Sequence, residues 1–186
     1  MDETMKTLYI SDLDGTLLNP EALLSSSAAE RLNELLAKGL VFSVATARTA
    51  ATAADLVKPL NLSLPIILMN GVAVYDTKTK TYVKEHPMTR ETVQEVFKIL
   101  EKFNTPGFVY SIVDHKLMCY EPPKLNARMA AFMEERKRDY GKVFTPISSY
   151  DATKDKDVIY FTVIDEEKAL AKTYEAVRKL PGVNAL

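Results

Sequence analysis

The sequence holds a single cysteine, Cys119, so no disulfide can form within the chain, and a lone thiol suits a reducing compartment. Neither sign of charge is in excess. Lys and Arg number 24 against 25 for Asp and Glu, a formal net charge of -1, which gives no reason to expect a nucleic-acid-binding face. Long hydrophobic runs are missing as well. The longest, near Pro65–Met69 and Gly39–Ala47, are far too short to span a bilayer, so no membrane partner is expected. No basic, apolar, small-residue leader precedes Asp2-Glu3, and a cytoplasmic setting is expected. There is no internal repeat and no low-complexity tract. What remains is a chain of 186 residues, 47% hydrophobic and 26% charged, which is the profile of a globular protein with room for one medium domain or two small ones.

The first part alternates strand and helix. Thr7–Ser11 is a short β-rich run that ends in the acidic turn Asp12-Leu13-Asp14-Gly15. Ser27-Ala28-Ala29-Glu30 reads as a capping box opening a helix with Leu32, Leu35 and Leu36 on one stripe, and Gly39 ends it. Leu40–Ala45 and Pro65–Met69 are nearly continuous apolar runs, the pattern of strands buried on both faces, with a helix from Ala50 to Leu56 between them. Strand, helix, strand, helix, strand implies right-handed crossovers and a parallel sheet.

After Gly71 the grammar changes. Val72–Asp76 and Thr81–Lys84 flank a polar turn and read as a hairpin. Thr89 can cap a helix carrying Val93, Val96, Phe97 and Leu100 on one face. Strands are expected at 108–113, 116–120 and 158–164, and helices from about Pro123 to Tyr140 and from Glu166 to Leu180. The fold class is therefore α/β: a partial Rossmann-like parallel-sheet core in residues 1–80 and an α+β module in 81–186, with the boundary falling between 77 and 85.

In open parallel sheets ligands sit outside the carboxyl ends of the strands, and Asp12 and Asp14 occupy that place. Two carboxylates this close repel. Holding both ionised calls for a hard cation such as Mg²⁺; alternatively one keeps its proton and serves as an acid. Thr46, at the end of the second strand, offers a hydroxyl beside a helix start, where an anion can be held. A strand-end carboxylate pair next to a strand-end Thr is an arrangement phosphoryl transfer can use: a carboxylate attacks phosphorus and a hydroxyl holds the phosphoryl group.

These residues also carry a resemblance. Ile10-Ser11-Asp12-Leu13-Asp14-Gly15-Thr16 resembles the first motif of the haloacid dehalogenase superfamily, Asp-x-Asp-x-Thr after apolar residues. Val44-Ala45-Thr46-Ala47-Arg48 is similar to its second motif, and Met69-Asn70-Gly71 to the Asn-Gly step of Cof-type sugar phosphatases, whose α+β cap of type IIB the second module resembles. The resemblance implies a Mg²⁺-dependent phosphatase acting on a small phosphorylated metabolite, with sugar phosphates as the first expectation. It implies Asp12 as the nucleophile, Asp14 as the group that protonates the leaving oxygen and then activates water, and Thr46 as a ligand of the phosphoryl group. Asn70 and Gly71 would meet the phosphate or substrate, and the Asp12 side chain and Asp14 backbone carbonyl would ligate Mg²⁺. A cap of this kind would close over the site and exclude water.

The family also uses a Lys that steadies the nucleophile and a downstream acidic pair. No Gly-Asp-x-x-Asn-Asp-like run occurs here, and no Lys is assignable by motif. The chain is thus expected to be the amino-terminal portion of a longer phosphatase, weak in Mg²⁺ binding and turnover alone, with Thr7–Ser11 left as an apolar edge strand. A phosphomutase of the same superfamily, or a non-catalytic metabolite-binding or assembly module, are the alternatives. The sequence assigns no oligomeric state.

Other residues read as structural. Arg48 is taken as a surface or helix-end charge outside the site. His86 and His115 lack metal-ligand spacing, and Cys119 reads as a packed thiol. Met129, Phe132 and Met133 read as core. Tyr110 and Tyr120 either line a cleft or pack in a sheet.

Overall fold

The computed structural model describes residues 7–186, and the chain divides into two compact units between Glu85 and His86. In the first unit, β1 (Leu8–Ser11) pairs in parallel with β2 (Val41–Val44), and a parallel bridge from Ala45 to Ile67 joins β2 to β3 (Ile66–Leu68). The parallel arrangement expected from the sequence is thus present. β4 (Ala73–Asp76) then pairs antiparallel with β3, and β5 (Thr81–Glu85) with β4. The hairpin therefore extends the first unit's sheet, which is why the division falls after Glu85. Tyr75 and Tyr82, adjacent on this hairpin, meet edge to face at 5.0 Å and bury their rings.

Helix α1 (Ser26–Ala37) begins two residues earlier than the capping-box reading. Ser25 is the cap, its hydroxyl accepting from Ala28 N–H at 3.2 Å, and this brings the buried Ala29 within the opening turns. Ser25, Ser26 and Ser27 are all capable of capping, so sequence alone does not choose among them. α2 (Ala50–Val57) buries Ala53 and Val57.

The second unit is a four-stranded sheet with helices on both faces. Its order is β8 (Thr145–Pro146), β7 (Lys116–Glu121), β6 (Gly107–Val113), β9 (Val158–Val163), antiparallel except for β7 with β8. One face packs on α3 (Arg90–Lys102) through Val93, Val96, Phe97 and Leu100, against Val109, Tyr120, Tyr150 and Val158. Thr89 caps α3 as expected. The other face meets α4 (Ala127–Tyr140), where Met129 and Met133 are buried and the Phe132 ring lies 5.9 Å from Phe108. α4 starts later than the expected Pro123, because Asn126 supplies the cap to Met129 N–H at 2.8 Å and also ties to Ile164 O. α5 (Glu167–Val177) packs against α3, and the buried hydroxyls of Thr105 and Thr173 meet at 2.8 Å. Tyr110 and Tyr120 are buried in the sheet, so packing is the role their positions show. No helix among the described residues is long and apolar enough to cross a membrane.

Candidate active site

Three chain segments meet at the carboxyl ends of β1, β2 and β3, and they carry all the residues the sequence singled out. The first leaves β1 as a five-residue turn, Leu13–Leu17, closed by Leu18 N–H donating to Leu13 O at 2.9 Å. Gly15 sits there at φ +72°, a region that L side chains rarely adopt. The Leu13 side chain is fully buried and anchors the turn, while Asp12 and Asp14 on either side of it are exposed. Leu13 N–H donates to Asp12 Oδ1 at 2.6 Å, orienting that carboxylate.

Thr46, on the second segment, is buried and held by its backbone: its N–H donates to Ile67 O at 3.0 Å. Its hydroxyl accepts from Arg48 N–H at 3.2 Å. On the third segment Met69, Asn70 and Gly71 have φ of +53°, +56° and +93°. Three consecutive left-handed residues, one of them a buried methionine, form a strained turn of the kind that persists only when its surroundings over-determine it. The surroundings are visible: Met69 N–H donates to Arg48 O at 3.1 Å and Asn70 N–H to Thr46 O at 3.2 Å. Asn70 and Gly71 are exposed beside these anchors.

Arg48 is the residue the sequence reading left out. Its guanidinium grips Asp14 with both ends of a fork, Nε to Oδ2 at 2.8 Å and a terminal nitrogen to Oδ1 at 2.6 Å, while Nη1 donates to Thr52 O at 3.2 Å. This hydrogen-bonded cation holds the Asp14 carboxyl below its usual range, with partial burial opposing it. The cation expected for the acidic pair is, for Asp14, supplied by the chain itself. The available signal was the pair's own electrostatic demand: a strand-end arginine two residues past Thr46 was the nearest candidate to meet it.

The donors offered to a metal are hard oxygens, the kind Mg²⁺ takes with water and phosphate completing its shell. Asp12 presents a carboxylate; both Asp14 carboxylate oxygens are committed to Arg48, leaving its backbone carbonyl. Among the described residues no three His, Cys, Asp or Glu side chains cluster in a way that could hold a metal ion. The donor set fits Mg²⁺ in type and is sparse in number.

A family model described as haloacid dehalogenase-like hydrolase matches residues 9–184, all three segments included. The chain belongs to the haloacid dehalogenase-like hydrolases. Among curated members it is 33% identical over 94 residues to a "putative phosphatase" of Buchnera aphidicola subsp. Baizongia pistaciae, covering 49% of this chain and 35% of that protein. It is 27% identical over 142 residues to the pyridoxal phosphate phosphatase YbhA of Escherichia coli, covering 76% of this chain and 52% of the relative. With the 5-amino-6-(5-phospho-D-ribitylamino)uracil phosphatase YcsE of Bacillus subtilis it shares 32% over 104 residues, 56% of this chain and 41% of that one. The chain thus spans about half or less of the length of these curated relatives.

Solved haloacid dehalogenase structures share the fold. A haloacid dehalogenase-like hydrolase from Bacteroides thetaiotaomicron superposes with a TM-score of 0.71 at 16% identity, over 94% of this chain and 64% of its own. The subclass IIB sugar phosphatase BT4131 gives 0.66 at 22%, over 93% and 64%.

Proposed function

We propose that this haloacid dehalogenase chain belongs to a phosphatase for small phosphorylated metabolites, with Asp12 accepting the phosphoryl group. The observation that carries the reading is the convergence of Asp12, the Arg48-held Asp14 and the buried Thr46 at adjacent strand ends. The phosphatase names of the relatives, and the sugar-phosphate specificity named for one fold neighbour, support the substrate class.

Asp12 Oδ1 is occupied by the Leu13 amide, so attack on phosphorus falls to Oδ2. The P–O bond to the leaving group breaks as the aspartyl-phosphate bond forms, and water then hydrolyses that intermediate. Thr46 fixes one phosphoryl oxygen, its hydroxyl set by the Arg48 amide. Asn70 and Gly71 contribute the rim of the phosphate or substrate cradle. Both roles of Asp14 require the Arg48 fork to open: the freed carboxylate first takes a proton from solvent, gives it to the leaving oxygen, and as the carboxylate left behind accepts one from the hydrolytic water. Mg²⁺ bound by the Asp12 carboxylate and the Asp14 carbonyl would neutralise charge between carboxylate and phosphate.

The test is trapping. The purified chain is incubated with Mg²⁺ and acetyl phosphate, quenched in acid and mapped by mass. One phosphoryl group is expected on the peptide bearing Asp12, and none in Asp12→Asn. Undiminished phosphorylation in Asp12→Asn, or a phosphoryl group on another residue, would overturn the assignment.

A further inference from the structure

The fork between Arg48 and Asp14 joins two unequal partners. Arg48 is the anchored one. Its side chain is 22% exposed, its Nη1 donates to Thr52 O at 3.2 Å and its N–H reaches the Thr46 hydroxyl at 3.2 Å. Asp14 is the loose one. Its side chain is 50% exposed, and among the described residues its carboxylate oxygens bond to Arg48 alone. The two residues lie 34 positions apart, so no local backbone geometry holds the carboxylate to the guanidinium. An ion pair with one half-exposed member is a weak bond in water. If the fork opens, Asp14 is the side that leaves.

We propose that the Arg48 guanidinium is a substrate-binding group, and that an incoming phosphoryl group takes it over from Asp14. The proposal rests on the phosphatase reading above and names what opens the fork. Thr46, the residue assigned to a phosphoryl oxygen, stands two positions before Arg48 and is hydrogen-bonded to its amide. Helix α2 starts two positions after Arg48, and the Thr49 side chain does not cap it, so the positive amino end of that helix is left to an anion. Thr46, Arg48 and the helix start therefore follow one another within a single stretch of chain. A carboxylate offers the fork one charge on two oxygens. A phosphoryl group offers about two charges on three oxygens, any two of which match the planar guanidinium. The exchange leaves no charge stranded: the guanidinium trades one bidentate anion for a stronger one, and Asp14 moves into water that already reaches it. The bond from Nη1 to Thr52 O holds the guanidinium in place while its partner changes.

The handover ties substrate arrival to the acid–base group. In the empty site Asp14 is neutralised and held; in the occupied site it is detached and able to serve the leaving oxygen and the water. It also selects by charge. A phosphomonoester dianion outcompetes the carboxylate, whereas a phosphodiester, with a single charge, competes no better than Asp14 itself.

The test is nuclear magnetic resonance of the full 186-residue chain, labelled with nitrogen-15 and kept metal-free with EDTA. The Arg48 Nε–H resonance is assigned by its loss in Arg48→Lys. Inorganic phosphate is titrated against potassium chloride at matched ionic strength, which controls for screening. The Arg48 resonance is expected to move with phosphate and not with chloride. Its endpoint should coincide with that of phosphate-saturated Asp14→Ala, where no carboxylate holds the fork. Asp14→Ala should bind phosphate about fivefold more tightly, because no exposed ion pair has to open first. Dimethyl phosphate should leave the fork closed. Phosphate shifts at the Thr46 and Asn70 amides with an unmoved Arg48 resonance, or an endpoint distinct from that of Asp14→Ala, would overturn the handover and leave the phosphatase reading standing. Equal displacement by dimethyl phosphate would overturn the selection by charge. No phosphate shift at any of these groups would overturn the phosphatase reading as well.

Discussion

β1 and β6 are both short apolar strands, and the rest of the fold treats them oppositely. Leu8, Tyr9 and Ile10 remain 49%, 55% and 49% exposed, whereas Phe108, Val109 and Tyr110 are 0%, 0% and 2% exposed. β6 has a strand on each side and helices on both faces; among the described residues β1 pairs with β2 alone. The chemistry-bearing strand is thus the least covered one, although the first unit buries Leu13, Val44, Ile66 and Leu68 as completely as the second buries Phe108. A strand end must be open for a carboxylate to meet a ligand, but open faces and an open edge go further than that, and they make β1 a template for unwanted pairing.

The largest expected difference between the two strands is in truncation. Phe108→Ala removes a ring packed on Phe132 and Phe144 and is expected to cost about 3–5 kcal/mol in the second unit, measured by denaturant unfolding. A loss below about 1 kcal/mol would mean that the site collapses to fill itself. The next effect is alkaline. Burial pushes the Cys119 thiol from its ordinary 9.0 up to about 11, and the Tyr82 hydroxyl, in the first unit, from 10.0 to about 12. In each case the unfolded chain loses its proton first, so the stabilising contribution is complete below the ordinary value and is lost as pH rises through the window. Each group is worth about 2–3 kcal/mol. The second unit is expected to weaken from about pH 9 and the first from about pH 10; Lys142, shifted down by burial, offsets part of the former. Melting followed separately at Tyr82→Phe and Cys119→Ala checks this: each substitution should flatten the corresponding alkaline slope. The smallest effect is at the exposed edge. Ile10→Lys should change stability by no more than about 1 kcal/mol yet suppress light scattering on heating, because a charge blocks strand addition.

The same contrast sets what could be read from sequence. Alternation and apolar stripes gave every helix and all but one of the strands, including the α3 face from Val93 to Leu100, because burial imposes those periods directly. β8 is two residues long and carries no period. The start of α4 went astray because Asn126, three residues past Pro123, had tertiary partners at Ile164 and Asp165 that no local pattern shows. At the site, Asp12, Asp14, Thr46, Asn70 and Gly71 were singled out by motif and resemblance, and the structure brings their segments together; the trapping experiment tests the role of Asp12. Arg48 was missed because an arginine near a helix start is ordinarily a surface charge, and only the fold shows that its fork spans 34 positions of sequence to Asp14.

Arg48 touches all three segments at once: through its side chain to the β1 turn, through its N–H to Thr46 and through its carbonyl to Met69. Loops so joined cannot loosen one at a time. Opening the Met69 contact frees the Arg48 backbone, which unseats Thr46 and slackens the grip on Asp14. In hydrogen-exchange terms the three loops form one cooperative opening unit. The amides of Ala45, Thr46, Met69 and Asn70, each donating across a segment boundary, should exchange at a shared opening free energy, and Arg48→Met should lower that energy for all four together.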